Sequence, residues 1–360
     1  MKIIHRYILK DFFRYLVLCL SVLVFIYIII NLFDNLGKFL AKNAQFNDII
    51  IYYLYLTPSY LVLLIPVASI MAIFFVFGMM TKHKELIAVK TSGCNVNNLF
   101  IVILIAGCII SAFSFAFQET VGVWAQARMY EHKQVKIDKR PRRSETRRRN
   151  FFYYGENHWV YFIRMYDSTI KQMTEVILWQ ISQDNRIIKR LDAEHAVYKD
   201  SAWHFSVVTA RDFDKLGNET IHEYDRLIIT ALSEKPDDFL RRTKPLEEMN
   251  FSEITNFIRK RSRAGQDVAE EKVELNYRFS YPIITIIVLL ITLPLSVVLK
   301  RGGIAIGLGI SIVIAFLYWG MIQTCRAYGV AGVMNPIIAA WLPNIIFATV
   351  GVFMIFKVPR

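Results

Sequence analysis

Six uninterrupted apolar stretches constrain this chain more than any other feature of its sequence. A helix needs about 20 residues to cross a hydrocarbon core of about 30 Å, and each stretch is long enough and free of charged residues. They run roughly over Tyr15–Phe33, Ile49–Met80, Leu99–Phe117, Phe279–Leu299, Gly302–Cys325 and Val333–Phe356. The first is too long for the apolar region of a cleaved signal peptide. The sequence therefore predicts a membrane protein with six transmembrane helices.

The charge distribution separates a membrane protein from a nucleic-acid-binding one. The chain has a formal net charge of +13, and so basic a chain raises nucleic acid as a partner. However, residues 128–275 hold 28 Lys and Arg against 25 Asp and Glu, whereas the remaining 212 residues hold 15 against 5. The excess lies with the apolar stretches, so no nucleic-acid partner is expected. An aromatic content of 14% excludes a disordered chain, and four cysteines are too few for a disulfide scaffold.

The orientation in the membrane follows from the lysines and arginines in short loops, which favour the cytoplasm. With a cytoplasmic N-terminus, eleven such residues fall on the cytoplasmic side and four outside. The cytoplasmic ones are Lys2, Arg6, Lys10, Arg14, Lys82, Lys84, Lys90, Lys300, Arg301, Lys357 and Arg360; the others are Lys38, Lys42, Arg278 and Arg326. Both termini are therefore predicted to be cytoplasmic, and the polar middle of the chain extracytoplasmic.

The polar middle alternates apolar and polar residues as β-strands do. Trp159–Tyr166, Glu175–Ile181, Trp203–Ala210 and Tyr224–Thr230 are examples, with turn-forming residues between them. This pattern predicts an antiparallel sandwich or jelly roll, followed over 245–265 by a short helix that returns to the membrane. The predicted domains are 1–120 with helices one to three, 121–265 with the β-domain and connecting helix, and 266–360 with helices four to six.

Sequence motifs of catalysis are missing from the chain. There is no phosphate-binding G-x-x-x-x-G-K-[ST] loop, no H-E-x-x-H, no G-x-S-x-G, and no metal-ligand spacing among the seven histidines. We therefore expect no catalytic residues, no metal and no cofactor bound by this chain. A transporter subunit or a membrane scaffold is favoured over an enzyme.

A short loop after the second apolar stretch carries a family resemblance. It reads Thr81-Lys-His-Lys-Glu-Leu-Ile-Ala-Val-Lys-Thr-Ser-Gly93, which predicts a short amphipathic helix near 82–93 with Gly93 at its end. The run from Glu85 to Gly93 resembles the coupling helix of the lipopolysaccharide-export permeases, the LptF/LptG family. The Arg6-Tyr7-Ile8 start and the layout of three helices, β-domain and three helices are similar too.

The resemblance implies a permease subunit of an ABC exporter without its own ATPase. Expected partners are a paralogous LptF-like permease, a cytoplasmic LptB-like ATPase dimer that binds ATP and Mg²⁺, and LptC/LptA-like periplasmic bridge proteins of jelly-roll type. The substrate would be lipopolysaccharide, extracted from a bacterial inner membrane. Glu85 would face a basic residue of the ATPase, with Leu86 and Val89 packing beside it. Within the pair, Ala264-Gly-Gln-Asp267, Asn276-Tyr-Arg278, Asp34 and Lys38 resemble LptG more closely.

Basic residues at the outer membrane level are candidates for binding lipid phosphates. Asp34, Lys38 and Lys42 share one helical face at a spacing of four, and Arg128, Lys133 and Arg326 follow the third and fifth spans. Lysines that anchor a helix end explain the first group equally well. The run 139–149, with seven basic residues in eleven, is a solvated loop or a contact for anionic sugars or lipid.

Small residues in the fifth span permit close helix packing. Gly303-x-x-x-Gly307 matches a helix-packing motif, and by the family resemblance Gly307 and Gly309 would lie where the two permeases form a lateral gate. Two rival functions stay open. One is a permease for lipoprotein or peptide of the MacB/FtsX type, which usually has four spans; the other is a membrane-anchored scaffold or sensor with an extracytoplasmic β-domain.

Overall fold

The structure is a computed structural model that confirms the six predicted membrane helices. It describes residues 3–92, 96–139, 147–155, 158–182, 186–214, 217–229, 232, 234–240, 245–263, 266–298 and 303–357. Within these, six helices are long and apolar enough to cross a membrane. The helices are α1 (Ile3–Ala41), α2 (Phe46–Lys82), α3 (Glu85–Thr91), α4 (Val96–Phe117), α5 (Val123–His132), α6 (Pro236–Leu240), α7 (Phe251–Arg263), α8 (Ala269–Val298), α9 (Gly303–Val330) and α10 (Pro336–Lys357).

The first two helices extend well beyond the hydrocarbon core. At about 1.5 Å per residue, the 39 residues of α1 and the 37 of α2 exceed a core of about 30 Å. α2 continues through Pro58 and Pro66. A proline disrupts the backbone hydrogen bonds of the preceding turn, and here the Leu63 carbonyl accepts a hydrogen bond from the Tyr281 hydroxyl of α8 at 2.6 Å.

The third membrane helix continues past its apolar residues. α4 passes through a π-helical turn, Gln118–Gly122, into α5 and then through a second, Lys133–Ile137. The backbone is therefore helical to Ile137, although the apolar stretch predicts a span only to Phe117. The added turns carry Arg128 and Lys133, two of the candidate phosphate ligands.

Contacts between residues divide the chain into two compact units, each described by itself. One unit holds the membrane helices (1–139, 246–251 and 269–360), and the other holds the β-domain (140–245 and 252–268). In the helical unit, the Tyr318 hydroxyl donates to the Asn344 side-chain oxygen at 2.6 Å. The Asn344 amide in turn donates to the Ser280 carbonyl at 2.8 Å. Because unsatisfied polar groups are costly in a bilayer, these bonds hold α8, α9 and α10 together.

The inserted β-domain contains the predicted antiparallel sheet. Its strands are β1 (Arg147–Tyr154), β2 (Trp159–Asp167), β3 (Gln172–Ile181), β4 (Ile187–Lys199), β5 (Ala202–Phe213) and β6 (Glu219–Ile229). They form one sheet in the order β1-β2-β3-β4-β5-β6. A jelly roll has two sheets with Greek-key connections, whereas the described strands follow one another as a meander. β1 and β6 are the two edges.

One row of residues, with one residue from each strand, crosses the whole sheet and interrupts the alternation of buried and exposed side chains along the strands. The row consists of Asn150, Arg164, Glu175, Glu194, Val207 and Asp225. Asn150, Glu175 and Val207, on alternate strands, have φ values of 49°, 49° and 53°. Across the row the buried positions are three residues apart instead of two, as with Ile163 and Tyr166. Like a bulge, the row returns the apolar side chains of both halves to one face.

That apolar face is covered by the segment that follows β6. Phe239 of α6 is 0% exposed, and four aromatic rings of the sheet surround it. Its ring centroid lies 4.5 Å from Tyr153, 5.5 Å from Tyr161, 5.7 Å from Tyr166 and 5.6 Å from Trp203. Aromatic pairs at these distances contribute beyond the area they bury, so Phe239 closes the core of the β-domain.

Hydrogen bonds fix the same segment to the sheet. The Trp203 indole donates to the Glu234 carbonyl at 2.8 Å, and the Tyr166 hydroxyl donates to the Pro236 carbonyl at 2.8 Å. The Tyr161 hydroxyl donates to the Glu234 carboxylate at 2.7 Å. Burial raises the pKa of Tyr161 well above its ordinary value, and the Glu234 charge adds to the effect, so the phenol stays the proton donor.

We expect replacement of Phe239 by alanine to destabilise the β-domain by about 3–5 kcal/mol, because it removes a fully buried aromatic side chain. Thermal unfolding of the purified full-length protein in detergent, followed by near-UV circular dichroism, measures the change. Phe152→Ala is the matched control, since Phe152 is 56% exposed and its aromatic contacts are worth about 1 kcal/mol. Equal losses for the two variants would contradict the assigned role of Phe239.

Candidate functional site

The short helix α3 lies in the loop that resembles a coupling helix. A tight turn connects it to α2: the His83 N–H donates to the Met79 carbonyl at 2.9 Å, and Lys84 has φ 58°. The Ala88 N–H then donates to the Lys84 carbonyl at 3.2 Å. The predicted helix is therefore present over Glu85–Thr91. Gly93, predicted to end it, lies outside the described residues.

Two apolar side chains anchor α3 to the membrane helices. Leu86 is 4% exposed and Val89 is 7% exposed. They belong to a core cluster with residues of α1, α2, α4 and α8, among them Phe12, Phe77, Phe100 and Leu293. Both side chains therefore pack against other residues of this chain. Any movement of α3 acts directly on the packing of four membrane helices.

The outward side of α3 consists of other residues. Glu85 is partly exposed, and Ile87 is 61% exposed. Glu85 stands in the first turn, where the helix dipole favours an acidic side chain. Its carboxylate accepts a hydrogen bond from the Tyr7 hydroxyl of α1, with the oxygens 3.2 Å and 3.5 Å away. The surface that α3 offers to another protein thus includes the Glu85 carboxylate, with Ile87, Ala88 and Thr91 exposed beside it.

At the far end of α1, two candidate residues remain accessible. Asp34 and Lys38 are both exposed. The Lys38 ammonium donates to the Asn35 side-chain oxygen at 3.1 Å. Asn35 in turn donates to the Asn31 carbonyl at 2.9 Å. Among the described residues, no carboxylate forms an ion pair with Lys38, so its charge is available to an anion.

The next two candidates on this end pack against neighbouring helices. Lys42 forms an ion pair with Asp138, which joins the end of α1 to the residue that follows the second π-helical turn. The Lys133 ammonium lies 5.9 Å from the centre of the Tyr52 ring of α2. A cation over an aromatic face is a favourable contact. Lys42 therefore joins α1 to the end of the third membrane helix, and Lys133 stabilises the packing of that end on α2.

Arg128 and Arg326 also have acidic neighbours. Arg128 pairs with Glu131 at 3.2 Å, three residues further along α5. Arg326 of α9 pairs with Glu274 of α8 at 2.7 Å, and its guanidinium lies 5.3 Å from the centre of the Tyr277 ring. Arg326 thus connects α8 and α9, and its charge is largely compensated.

These acidic partners are the residues that sequence reasoning missed. Glu131 could have been found, because it lies three residues from Arg128 on one helix. Asp138 and Glu274 have no such local signal, since each is brought to its cation by the packing of different helices. Of the five candidate cations, Lys38 and Lys133 have no described carboxylate partner within ion-pair distance, and Lys133 lies over the Tyr52 ring instead.

The basic run over 139–149 contributes to the fold of the β-domain through its last residues. Arg147 pairs with Asp167 at 2.5 Å, and this hydrogen bond lowers the pKa of the Asp167 carboxyl. Arg148 donates to the Phe239 carbonyl at 3.1 Å. Residues 140–146 of the run lie outside the described residues.

The glycines of α9 occupy two different environments. A Cβ at Gly307 would lie 2.6 Å from the ring of Phe74 on α2, so Gly307 allows α9 to pack closely on α2 within this chain. A Cβ at Gly309 would meet nothing within 4 Å. Gly303 begins α9. Gly309 is thus on an open side of the helix, where another chain could approach.

The described side chains show no arrangement for metal chemistry. No group of three or more His, Cys, Asp or Glu among them could hold a metal ion. Their arrangement instead places the Glu85 carboxylate at one end of the helical unit and the exposed charges of Asp34 and Lys38 at the other.

The chain has six apolar helices, an inserted antiparallel sheet and a short amphipathic helix that packs against the membrane helices. These features define a polytopic membrane protein of the transporter-permease class. The chain matches the family described as lipopolysaccharide export system permease LptF/LptG over residues 6–357, and it therefore belongs to this family. It is a permease subunit of a lipopolysaccharide export system and is not itself an enzyme. No curated protein matches the chain at a significant level.

We expect Gly307→Ala to destabilise the helical unit by about 1–3 kcal/mol, because the added methyl group overpacks the contact between α9 and Phe74. Gly309→Ala is the matched control and should change stability by no more than about 0.5 kcal/mol. Thermal unfolding of the full-length protein in detergent measures both. A loss for Gly309→Ala as large as that for Gly307→Ala would contradict this packing.

Proposed function

We propose that this chain extracts lipopolysaccharide from the bacterial inner membrane as one of two paired permeases of an ABC exporter. The observation that carries the proposal is the family match over nearly the whole chain, together with the six helices and the inserted sheet. A MacB/FtsX-type permease usually has four spans, and a scaffold or sensor does not need a helix such as α3. Both rivals are therefore less well supported.

We infer that α3 transmits the energy of ATP hydrolysis from a partner ATPase to the membrane helices. The cytoplasmic ends of the helices are those with the excess of lysine and arginine, and α3 lies among them. A separate LptB-like ATPase dimer, which binds ATP and Mg²⁺, receives Glu85 in a basic groove, with Ile87 beside it. Leu86 and Val89 transmit the movement, because they pack into the core formed by α1, α2, α4 and α8. This chain supplies no nucleotide site of its own.

The lipid cavity forms between this chain and an LptF-like partner. α1 and α9 bury only 17% and 22% of their most apolar segment within this chain, compared with 61% for α2. Apolar surface of this kind suits either lipid or a second permease, and the open side of α9 at Gly309 allows a close approach. Closure of the ATPase on ATP would narrow the cavity and push the lipid outward. The resemblance to LptG makes the chain the LptG-like member of the pair.

The outward path leads over the β-domain to LptC/LptA-like bridge proteins. Strand addition at a sheet edge is the physical route for such a bridge, and β6 is exposed along most of its length. The apolar face of the sheet, however, is covered by Phe239 and Leu232. Acyl chains can use this face only if the segment 232–240 moves aside. Periplasmic placement of the β-domain follows from the same charge asymmetry.

Glu85→Lys should reduce lipid export per ATP at least tenfold, because it places a cation opposite the basic groove, and like charges in an interface cost several kcal/mol. Membrane insertion should be unchanged, since Glu85 lies outside the apolar segments. The measurement uses the reconstituted complex. Lipid transfer and ATP hydrolysis are measured together, and their ratio gives the lipid exported per ATP hydrolysed.

The control for this variant is Glu175→Lys, which makes the same substitution at a β-domain residue that is 53% exposed in its side chain. It should leave the ratio unchanged, since exposed ion pairs contribute little. Normal export by Glu85→Lys, with the ATPase bound as before, would show that α3 does not couple hydrolysis to transport.

Lys38→Glu should weaken lipopolysaccharide binding about tenfold or more, because a charge-assisted hydrogen bond to phosphate is worth about 1.5–3 kcal/mol. Binding to the detergent-solubilised complex, measured with labelled lipopolysaccharide, tests this. Lys171→Glu, at an exposed turn of the β-domain, is the control. Unchanged affinity in Lys38→Glu would remove Lys38 from the phosphate site and leave anchoring of α1 as its role.

A further inference from the structure

Two segments that are far apart in the sequence contact each other at the N-terminal end of α1. The first is Arg6-Tyr7-Ile8 near the start of α1, and the second is α3. Ile8 is 1% exposed and shares a core cluster with Leu86 and Val89. Tyr7, the residue before Ile8, is 44% exposed, and its hydroxyl donates a hydrogen bond to the Glu85 carboxylate. Apolar packing and a hydrogen bond thus join α1 to α3 at the same place.

The Tyr7 hydroxyl donates its one proton to the Glu85 carboxylate. Glu85 accepts from it at 3.2 Å. Burial and the negative charges of Asp11 and Glu85 raise the pKa of the Tyr7 phenol, so it stays the proton donor. A phenol donates only one hydrogen bond at a time. Hydrogen bonds to a charged acceptor are stronger than neutral ones, so donation from Tyr7 favours one orientation of the Glu85 carboxylate.

We propose that Tyr7 is a positioning residue that holds the Glu85 carboxylate ready for a cationic groove on a cytoplasmic ATPase. The inference rests on the proposed function, because it assumes that Glu85 meets such a groove. Without Tyr7, Glu85 samples several rotamers, and docking must fix one of them at a cost in conformational entropy.

A double-mutant cycle on the full permease complex separates positioning from a general effect on α1. The affinity of the purified ATPase is measured for the parent protein and for Tyr7→Phe, Glu85→Gln and the double variant. Tyr7→Phe keeps the ring and removes only the hydroxyl. We expect it to weaken ATPase binding about three- to tenfold, the effect of losing one long, exposed hydrogen bond. In the Glu85→Gln background, the same change should cost less than about twofold.

Tyr15→Phe is the matched control on the same helix. The Tyr15 ring stacks on Phe75 with the centroids 5.3 Å apart, and removal of its hydroxyl should leave ATPase affinity unchanged. Asp11→Ala removes a carboxylate one turn further along α1 and should not weaken binding. Either an unchanged affinity for Tyr7→Phe, or a loss of the same size with and without Glu85→Gln, would overturn the assignment.

A measurement without the partner distinguishes this inference from the proposed function. In the full-length chain alone, Tyr7→Phe should speed amide hydrogen exchange in Glu85–Thr91 about three- to tenfold relative to Tyr15→Phe, because α3 loses a bond to α1. Unchanged exchange would refute the contact. If exchange rises but no ATPase binds any variant, including the parent, the proposed function fails while the contact stands.

Discussion

The packing of Leu86 and Val89 into the core of four membrane helices is the interaction on which this account depends. α3 has seven residues, and an isolated helix of that length is not stable in water. It exists because its apolar side chains are buried against α1, α2, α4 and α8. The same burial makes α3 mechanically continuous with the membrane helices. A force on its outward residues therefore reaches the bundle without a separate transmitting element.

At the end of the helical unit that holds the C-terminus of α1, most of the candidate cations are paired with carboxylates. Charged side chains near a bilayer are costly unless they are paired or reach water. Lys42 and Arg326 pair with carboxylates of other helical segments, so they contribute first to helix packing, whereas Arg128 pairs with Glu131 on its own helix. Lys38 reaches solvent without a described carboxylate partner. Phosphate recognition at this level would thus rely on a small number of accessible cations and on what the second permease adds.

The membrane helices and the antiparallel sheet could be predicted from the sequence because each leaves a periodic or uninterrupted pattern. Charge-free stretches of about 20 residues have few alternatives in water or in lipid. The continuation of the third helix to Ile137 was hidden, since its added turns are polar and their hydropathy resembles that of a loop. The row of bulge-like residues in the sheet was hidden too, because it replaces the period of two by a step of three.

The contacts that define the candidate site depend on tertiary packing and could be predicted only in part. The Glu85 loop was recognisable as a helix with one carboxylate, but Tyr7 lies 78 positions away and shows no pattern that links the two. Phe239 is another example, since it stands in a short, mostly polar segment and is nevertheless the centre of an aromatic core. In each case a side chain acquires its role from residues distant in the sequence.

Purification of the full-length chain from bacterial inner membranes in mild detergent, with mass spectrometry of the bound proteins and lipids, tests the central claim most directly. We expect a cytoplasmic ABC ATPase at two copies per complex, a second six-span permease at one copy, and lipopolysaccharide in the preparation. A chain that purifies alone, or with proteins that include no ATPase, would contradict it.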